Sequence, residues 1–117
     1  MSGASSYHGG LAAEDQVAAH YQRRGLTVAA RRWRGTAGEI DLIFRDGAAL
    51  IFVEVKRAAS LDAAAWRLGP AQVRRICAAA SEFVGGEPAG QDTEMRFDLA
   101  LVGGAGEIEI IENAFGA

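Results

Sequence analysis

Three charged residues, Asp41, Glu54 and Lys56, lie within the two most apolar runs of this 117-residue chain. A charge in a strand that is expected to be buried is costly unless it is paired or binds a metal. Two carboxylates that converge form a hard-oxygen site suited to Mg²⁺ or Mn²⁺. A lysine beside them can orient a water molecule or neutralise charge on a phosphate. The pattern predicts metal-assisted hydrolysis of a phosphodiester bond; the alternative is a Glu-x-Lys pair on a solvated strand face.

The convergence of these charges depends on a hairpin that is predicted between residues 40–44 and 50–55. Both runs are rich in β-branched and aromatic residues, and Asp46-Gly47 lies between them. An Asp-Gly pair in this setting is typical of a two-residue type I′ turn, which needs a positive φ at both central positions. A three-residue loop would instead turn the side chains of one strand to the opposite face.

With the two-residue turn, Asp41 is expected to lie opposite Phe52 and diagonal to Glu54, within reach of its side chain. Glu54 and Lys56 are two residues apart, so they share a face of their strand. All three charges then converge on one face of the hairpin. The other face is expected to carry the apolar residues Ile40, Leu42, Ile51, Val53 and Val55.

A fourth carboxylate, Glu14, is expected to face the core. Residues 11–24 have helical periodicity, and Glu14 falls at the centre of their apolar arc. A carboxylate in that position needs a cation or a hydrogen-bond donor. Two interpretations remain open: Glu14 is a further metal ligand or water-orienting group, or it reaches solvent or pairs with an arginine. The apolar arc consists of Leu11, Val17, Ala18 and Tyr21.

Turn and helix signals divide the chain into seven elements in the order αβββαββ, which indicates an α/β domain. Gly25 fits the C′ position of the first helix, and Pro70 is well placed to open the second. The last strand is expected to be a sheet edge that its glutamates protect from pairing. Residues 1–10 are predicted to be a flexible tail, and residues 11–117 a single domain. The predicted helices are 11–24 and 70–84, and the predicted strands are 27–34, 39–45, 48–57, 96–102 and 107–112.

Positive charge is concentrated in the first two thirds of the chain, although the net charge is −3. Residues 1–80 contain eleven Lys and Arg against seven Asp and Glu, whereas residues 81–117 contain one against eight. Arginine is suited to bidentate phosphate contacts, while the alternative is an ordinary solvated surface. Trp33 is expected either to stack on a base or to be a core or strand-edge residue. The expected nucleic-acid contacts are Arg31, Arg32, Arg34, Arg57, Arg74 and Arg75.

The composition is that of a soluble domain. No apolar run approaches the roughly 18–20 residues that span a bilayer, and the first ten residues lack the features of a signal peptide. The lone Cys77 cannot form an internal disulfide, which suits a reducing cytoplasm. We therefore expect a cytoplasmic protein with no membrane partner.

The segments Gly38-Glu39-Ile40-Asp41-Leu42-Ile43 and Phe52-Val53-Glu54-Val55-Lys56 resemble the YraN-like uncharacterised protein family (uncharacterised protein family 0102). That family is similar to Holliday-junction resolvases of the PD-(D/E)xK, restriction-endonuclease-like group. The resemblance extends over nearly the whole chain, through residues 10–14, 31–34, 96–98 and 112–115. It implies a central mixed sheet flanked by helices.

For the site, the resemblance implies that Asp41 and Glu54 are metal ligands and that Lys56 is the catalytic lysine. Glu14 matches the first-helix glutamate of the resolvase-like members. The chain differs from the family pattern at two positions, Ala58 in place of a basic residue and Gln72 in place of a lysine. Both differences are expected to weaken contact with a phosphate backbone and to leave the metal ligands unchanged.

Together these features predict a metal-dependent nuclease acting on DNA, including branched or otherwise structured DNA. Asp41, Glu54 and the Val55 backbone carbonyl are expected to hold Mg²⁺ or Mn²⁺, while Lys56 positions a water molecule with help from Glu14. A homodimer would suit the cutting of two strands. One alternative is a nucleic-acid-binding module that keeps the fold without catalysis. Another is a protein-interaction role for the acidic C-terminal third.

Overall fold

The structure, a computed structural model, describes residues 2–65 and 68–116, without the side chains of residues 2–11 and 64–65. Its elements follow the predicted order αβββαββ, with one short helix, α2, added before the long second helix. The elements are α1 Ser2–Arg23, β1 Thr27–Arg34, β2 Glu39–Asp46, β3 Ala49–Arg57, α2 Leu61–Ala65, α3 Pro70–Val84, β4 Met95–Val102 and β5 Ile108–Phe115, with a 3-10 turn at Gly90–Asp92.

The described strands form a five-stranded mixed sheet in the order β1-β2-β3-β4-β5. Strands β3 and β4 are parallel because the chain crosses over through α3, and the other neighbours are antiparallel. The two long helices pack against two separate apolar clusters of the sheet. This arrangement confirms the predicted α/β fold and is consistent with a restriction-endonuclease-like core. The predicted edge position of β5 is also confirmed.

Each long helix contributes a buried face to its own cluster. The α1 cluster includes Val17, Ala18, Tyr21, Leu42, Phe44, Ile51 and Val53. The α3 cluster includes Ile40, Ile43, Leu50, Phe52, Ile76, Ala79, Ala80 and Val84. Ile40 was expected on the face away from the charges, with Leu42, but it belongs to the α3 cluster. The regular pairing of β2 with β3 ends at Leu42, so the alternation of faces does not continue through Ile40.

Helix α1 ends as its sequence predicts but begins earlier. Gly25 has φ 89, and the N–H groups of Gly25 and Leu26 donate to the carbonyls of Gln22 and Tyr21, which is a Schellman motif. The helix begins at Ser2, whereas residues 1–10 were expected to be a flexible tail. Adding turns to a helix that is already nucleated costs little, so weak helix formers can extend it. That residues 1–10 form a flexible tail and residues 11–117 a single domain stays a prediction.

The β2–β3 hairpin turns one residue later than predicted. Asp46 pairs with Ala49, so the loop is Gly47-Ala48 rather than Asp46-Gly47. Gly47 has φ 63, and Ala48 does not have a positive φ. A positive φ at the first loop position alone is the type II′ pattern with glycine leading, not type I′. The turn moves by one residue and the pairing by two, so the paired side chains of 42–46 and 49–53 keep their predicted faces.

No helix within residues 2–65 and 68–116 is long and apolar enough to cross a membrane.

Candidate active site

The pairing of β2 with β3 is interrupted where the two carboxylates meet. The last regular pair is Leu42 with Val53, so the next position along places Asp41 opposite Glu54. Asp41 was predicted to lie opposite Phe52, but Phe52 pairs with Ile43, and the two-residue shift explains the difference. The Val55 N–H donates to Asp41 Oδ2 at 2.8 Å. The side chain of Asp41 thus accepts a backbone N–H and lies directly beside Glu54.

Asp41 and Glu54 are two acids in a setting that disfavours their charges. Glu54 is 5% exposed, and burial first, then the charge of Asp41, raises its pKa to about 7. Burial also raises the pKa of Asp41, although the Val55 N–H opposes the shift. Each carboxylate thus lies beside another acid in a place that disfavours charge. A divalent cation between them would offset the repulsion between the two carboxylates.

Lys56 is the only lysine in the sequence, and its ammonium group lies against this acidic pair. Its Nζ is 3.0 Å from Glu54 Oε2. The same Nζ donates to Gln72 Oε1 at 2.9 Å, and Gln72 Nε2 donates to Glu54 Oε2 at 2.6 Å. The three side chains form a closed triangle of hydrogen bonds across β3 and α3. The structure therefore brings Asp41, Glu54 and Lys56 together, as predicted from their spacing.

Glu14 lies on α1, in the layer opposite α3, and interacts electrostatically with Asp41. Its side chain is 15% exposed, and burial followed by the charge of Asp41 raises its pKa. Arg32 Nη1 lies 3.9 Å from Glu14 Oε1 and opposes that shift. Arg32 has φ 49, a backbone conformation that is unusual for arginine in a strand. Glu14 is thus paired loosely with an arginine, as one interpretation held, and its role as a metal ligand or water-orienting group stays a prediction.

The arginines of β1 lie alongside the Asp41 end of β2. Arg31 pairs with Leu42, and Arg34 with Glu39, in the antiparallel ladder. Arg31 donates to Asp15 at 2.9 Å, and Arg34 lies 3.6 Å from Glu39. The β1 arginines are exposed, and exposed ion pairs of this kind are weak. A phosphate could therefore displace the acidic partners at small cost.

The remaining predicted contact residues are exposed but separate into two places. Arg74 and Arg75 lie on α3, where the Cβ and carbonyl of Arg75 adjoin Gly38. Arg57 follows Lys56 at the end of β3 and lines a cleft with Gly104. Arg75 thus adjoins the loop that leads into β2, whereas Arg57 lies at the end of β3 beside Gly104.

Trp33 is part of the packed interior between β1 and α3. Its ring meets that of Phe83 edge to face at a centroid distance of 5.3 Å, and it packs against the α3 cluster. Of the two expectations for Trp33, the structure agrees with a core position.

The donor set suits a hard divalent cation that keeps most of its water. Within the described residues, no three His, Cys, Asp or Glu side chains are grouped to hold a metal ion. Mg²⁺ commonly uses one or two carboxylates and completes its shell with water and phosphate oxygens. The adjacent carboxyl groups of buried Glu54 and half-buried Asp41 fit that requirement. The Val55 carbonyl as a further ligand stays a prediction.

A family model described as "Uncharacterised protein family UPF0102" matches residues 13–102, which include every element from the middle of α1 to the end of β4. The chain belongs to this family. A UPF0102 protein of Cereibacter sphaeroides (strain KD131) is 61% identical over 117 residues and is covered along all of both chains. A UPF0102 protein of Ruegeria pomeroyi is 53% identical over 114 residues, covering 97% of this chain and 93% of the relative. One of Roseobacter denitrificans is 50% identical over 112 residues, covering 96% and 87%.

Sequence reasoning on this UPF0102 protein missed one member of the site, Gln72. The sequence identified it only as a departure from the family pattern, in which the position is usually a lysine. The structure gives it hydrogen bonds to both Glu54 and Lys56. A signal was present, because Gln72 is a polar residue in the first turn of a helix opened by Pro70. Its distance from β3, however, depends on how α3 packs.

Proposed function

We propose that this UPF0102 protein is a metal-dependent endonuclease that hydrolyses phosphodiester bonds in DNA, with branched or structured DNA as its expected substrate. The observation that carries the proposal is the adjacent pair of carboxyl groups, buried Glu54 and half-buried Asp41, with the ammonium group of Lys56 at 3.0 Å from Glu54. A surface ion pair does not account for this arrangement, because Glu54 is buried and has a second carboxyl group, that of Asp41, beside it. Two carboxylates with a neighbouring ammonium group can hold a divalent ion and orient a water molecule for metal-assisted hydrolysis.

In this proposal Asp41 and Glu54 hold Mg²⁺ or Mn²⁺ together with the Val55 carbonyl. The ion would polarise a phosphate oxygen and make a bound water more acidic. Lys56 orients the attacking water or neutralises charge on the scissile phosphate. Glu14 receives a proton from, or helps to orient, the same water. A water oxygen would add to phosphorus as the bond to the departing sugar oxygen breaks, and the sugar oxygen would take a proton from solvent to leave as an alcohol.

The exposed arginines would hold the DNA backbone beside the carboxylates. Arg31, Arg32 and Arg34 approach from β1, and Arg74 and Arg75 from α3. Contacts of this type release counterions, so binding should weaken steeply as salt increases. A homodimer would place one active site on each of the two DNA strands. The cytoplasm is the expected compartment, where the lone Cys77 stays reduced.

The second candidate is a nucleic-acid-binding module that keeps this fold without catalysis. The observation that favours it is the closed triangle in which Gln72 engages both Glu54 and Lys56. These are the two groups that hydrolysis would need. If DNA and metal did not break these hydrogen bonds, Glu54 and Lys56 would not be free to act in hydrolysis. The arginines would still bind DNA.

The deciding experiment is cleavage of labelled linear, flapped and four-way-junction DNA with Mg²⁺ or Mn²⁺. We expect wild type to cut in a metal-dependent way, and Lys56→Ala and Asp41→Asn to lose at least about 100-fold in rate. Asp46→Asn is the matched control, because it makes the same change on β2 at the exposed hairpin tip. Binding without cleavage by wild type would favour the binding module, and equal cleavage by the variants would refute the site.

A further inference from the structure

Gln72 contacts two of the three proposed reactive groups at once, with each end of its amide. Its Nε2 donates to Glu54 Oε2 at 2.6 Å, and its Oε1 accepts from Lys56 Nζ at 2.9 Å. A carboxylate needs a donor, and an ammonium group needs an acceptor. The chemistry of the two neighbours therefore fixes which way the amide points. An amide serves both partners, whereas a lysine at position 72 would serve only Glu54.

The backbone that carries Gln72 is held firmly in the fold. Gln72 is the third residue of α3, and Ile76 and Ala79 bury the next turns of that helix in the core. Further along α3, the carboxylate of Glu82 accepts from the N–H and hydroxyl of Thr36, at 2.8 and 2.9 Å. The backbone position from which the Gln72 side chain extends is therefore fixed. Lys56 has a long, flexible side chain that would otherwise sample many rotamers.

We propose that Gln72 is the positioning residue of this site, which holds the carboxyl group of Glu54 and the ammonium group of Lys56 in their working arrangement. This inference rests on the proposed nuclease function and adds a residue to it. Gln72 lies in contact with the groups that would act, so it works through them rather than on DNA. Because the Gln72 amide is neutral, it holds Glu54 and Lys56 in place without adding a charge beside the acidic pair. Partners that orient metal ligands in this way typically affect metal affinity or activity by about 10–100-fold.

The test is Gln72→Met, which keeps the length of the side chain and removes both hydrogen bonds. Gln22→Met is the matched control, because Gln22 is an exposed glutamine on α1. For each protein we would measure Mn²⁺ affinity by calorimetry, and kcat and KM on junction DNA. The side-chain ammonium signal would be recorded on protein labelled with ¹⁵N-lysine, in which Lys56 gives the only such signal. The melting temperature would show whether the variant is folded.

We expect Gln72→Met to fold normally, to bind Mn²⁺ about 10-fold more weakly and to lose about 10–100-fold in kcat, with KM little changed. Its Lys56 ammonium protons should exchange faster with water, because they have lost an acceptor. An unchanged ammonium signal together with unchanged Mn²⁺ affinity would overturn the positioning role. If the signal and the affinity change but wild type cuts no DNA, the positioning role stands and the nuclease function fails. If wild type cuts and Gln72→Met cuts equally well, the nuclease stands and the role of Gln72 fails.

Discussion

At the scale of single residues, the site depends on an unfavourable arrangement that the fold maintains. Two acids lie side by side with little exposure, and one lysine is shared between an acid and an amide. Burial and mutual repulsion together raise the pKa of Glu54 to about 7. Groups with such shifts are concentrated at functional sites, because stability alone would favour apolar side chains in these positions. The residue chemistry thus supports a site that is prepared for a cation.

The raised pKa of Glu54 predicts a pH dependence of stability. Between pH 4.5 and about 7 the folded state binds the Glu54 proton more tightly than the unfolded state does. The free energy of unfolding should therefore fall as pH rises through that window and level off above it. Glu54→Gln removes the buried charge, so it should stabilise the protein by about 2 kcal/mol at about pH 8 and by little at about pH 4.5.

Urea unfolding of wild type and Glu54→Gln at both pH values measures this effect. Glu109→Gln is the control, because Glu109 is exposed on β5 and should give no pH-dependent difference. A Glu54→Gln protein that is less stable than wild type at the higher pH would contradict the proposed cost of the buried charge.

At the scale of elements, the position of α3 decides the shape of the site. The β1–β2 loop packs directly on this helix, and a Cβ on Gly38 would lie 3.3 Å from the Cβ of Arg75. Glu82 joins the same loop to α3 through Thr36. Gly38 begins the segment that leads to Asp41, and Gln72 is on the neighbouring turn of α3. The contact between Gly38 and Arg75 therefore sets the distance between the β2 side of the site, which carries Asp41, and the α3 side, which carries Gln72.

A larger side chain at Gly38 should move α3 away from the sheet. We expect Gly38→Val to lower the free energy of unfolding by about 1–3 kcal/mol, the usual effect of overpacking. Gly38→Val should also weaken Mn²⁺ binding by the protein that remains folded, because Gln72 would move relative to Glu54. Thermal unfolding and Mn²⁺ calorimetry measure the two effects. Gly116→Val is the control, because a Cβ there meets nothing within 4 Å. Normal stability and normal Mn²⁺ affinity for Gly38→Val would show that α3 is not the element that sets the site.

At the scale of the whole molecule, a second buried acid joins elements that are far apart in sequence. Asp98 is fully buried on β4 and accepts from the Tyr21 hydroxyl of α1 at 2.7 Å. It also accepts from Arg96 Nε and from the Asn113 N–H of β5, each at 3.0 Å. Burial and Asp98 raise the pKa of Tyr21, so its hydroxyl stays a donor. Asp98 therefore connects the first helix with the last two strands.

Removing one donor from Asp98 should destabilise the whole fold. We expect Tyr21→Phe to cost about 1–3 kcal/mol, because a buried carboxylate loses a hydrogen bond. Ser81→Ala is the control, since it removes an exposed hydroxyl that contacts Gln91. Urea unfolding measures both variants. A Tyr21→Phe protein within about 0.5 kcal/mol of wild type would mean that Arg96 and Asn113 suffice for Asp98.

The sequence by itself determined the order of the two long helices and five strands, and the faces of most strand side chains, with Ile40 and the short α2 as exceptions. The strand 27–34 and the helix 70–84 have the bounds that were predicted, because local periodicity, Pro70 and Gly25 act over a few residues. The turn lies one residue later than predicted, so the cross-strand partner of Asp41 differs from the predicted one. Asp41 and Glu54 still lie on the same side of the hairpin. A shift of two residues preserves the alternation of a strand.

Only the tertiary structure decided which of these residues meet. Glu14 comes near Asp41, Gln72 joins Glu54 to Lys56, and Trp33 packs against α3 instead of offering a free surface. These contacts join residues that are 16 or more positions apart or lie on different layers, so no local pattern encodes their distances. They follow from the packing of α1 and α3 on opposite faces of the sheet, where close packing fixes which side chains touch.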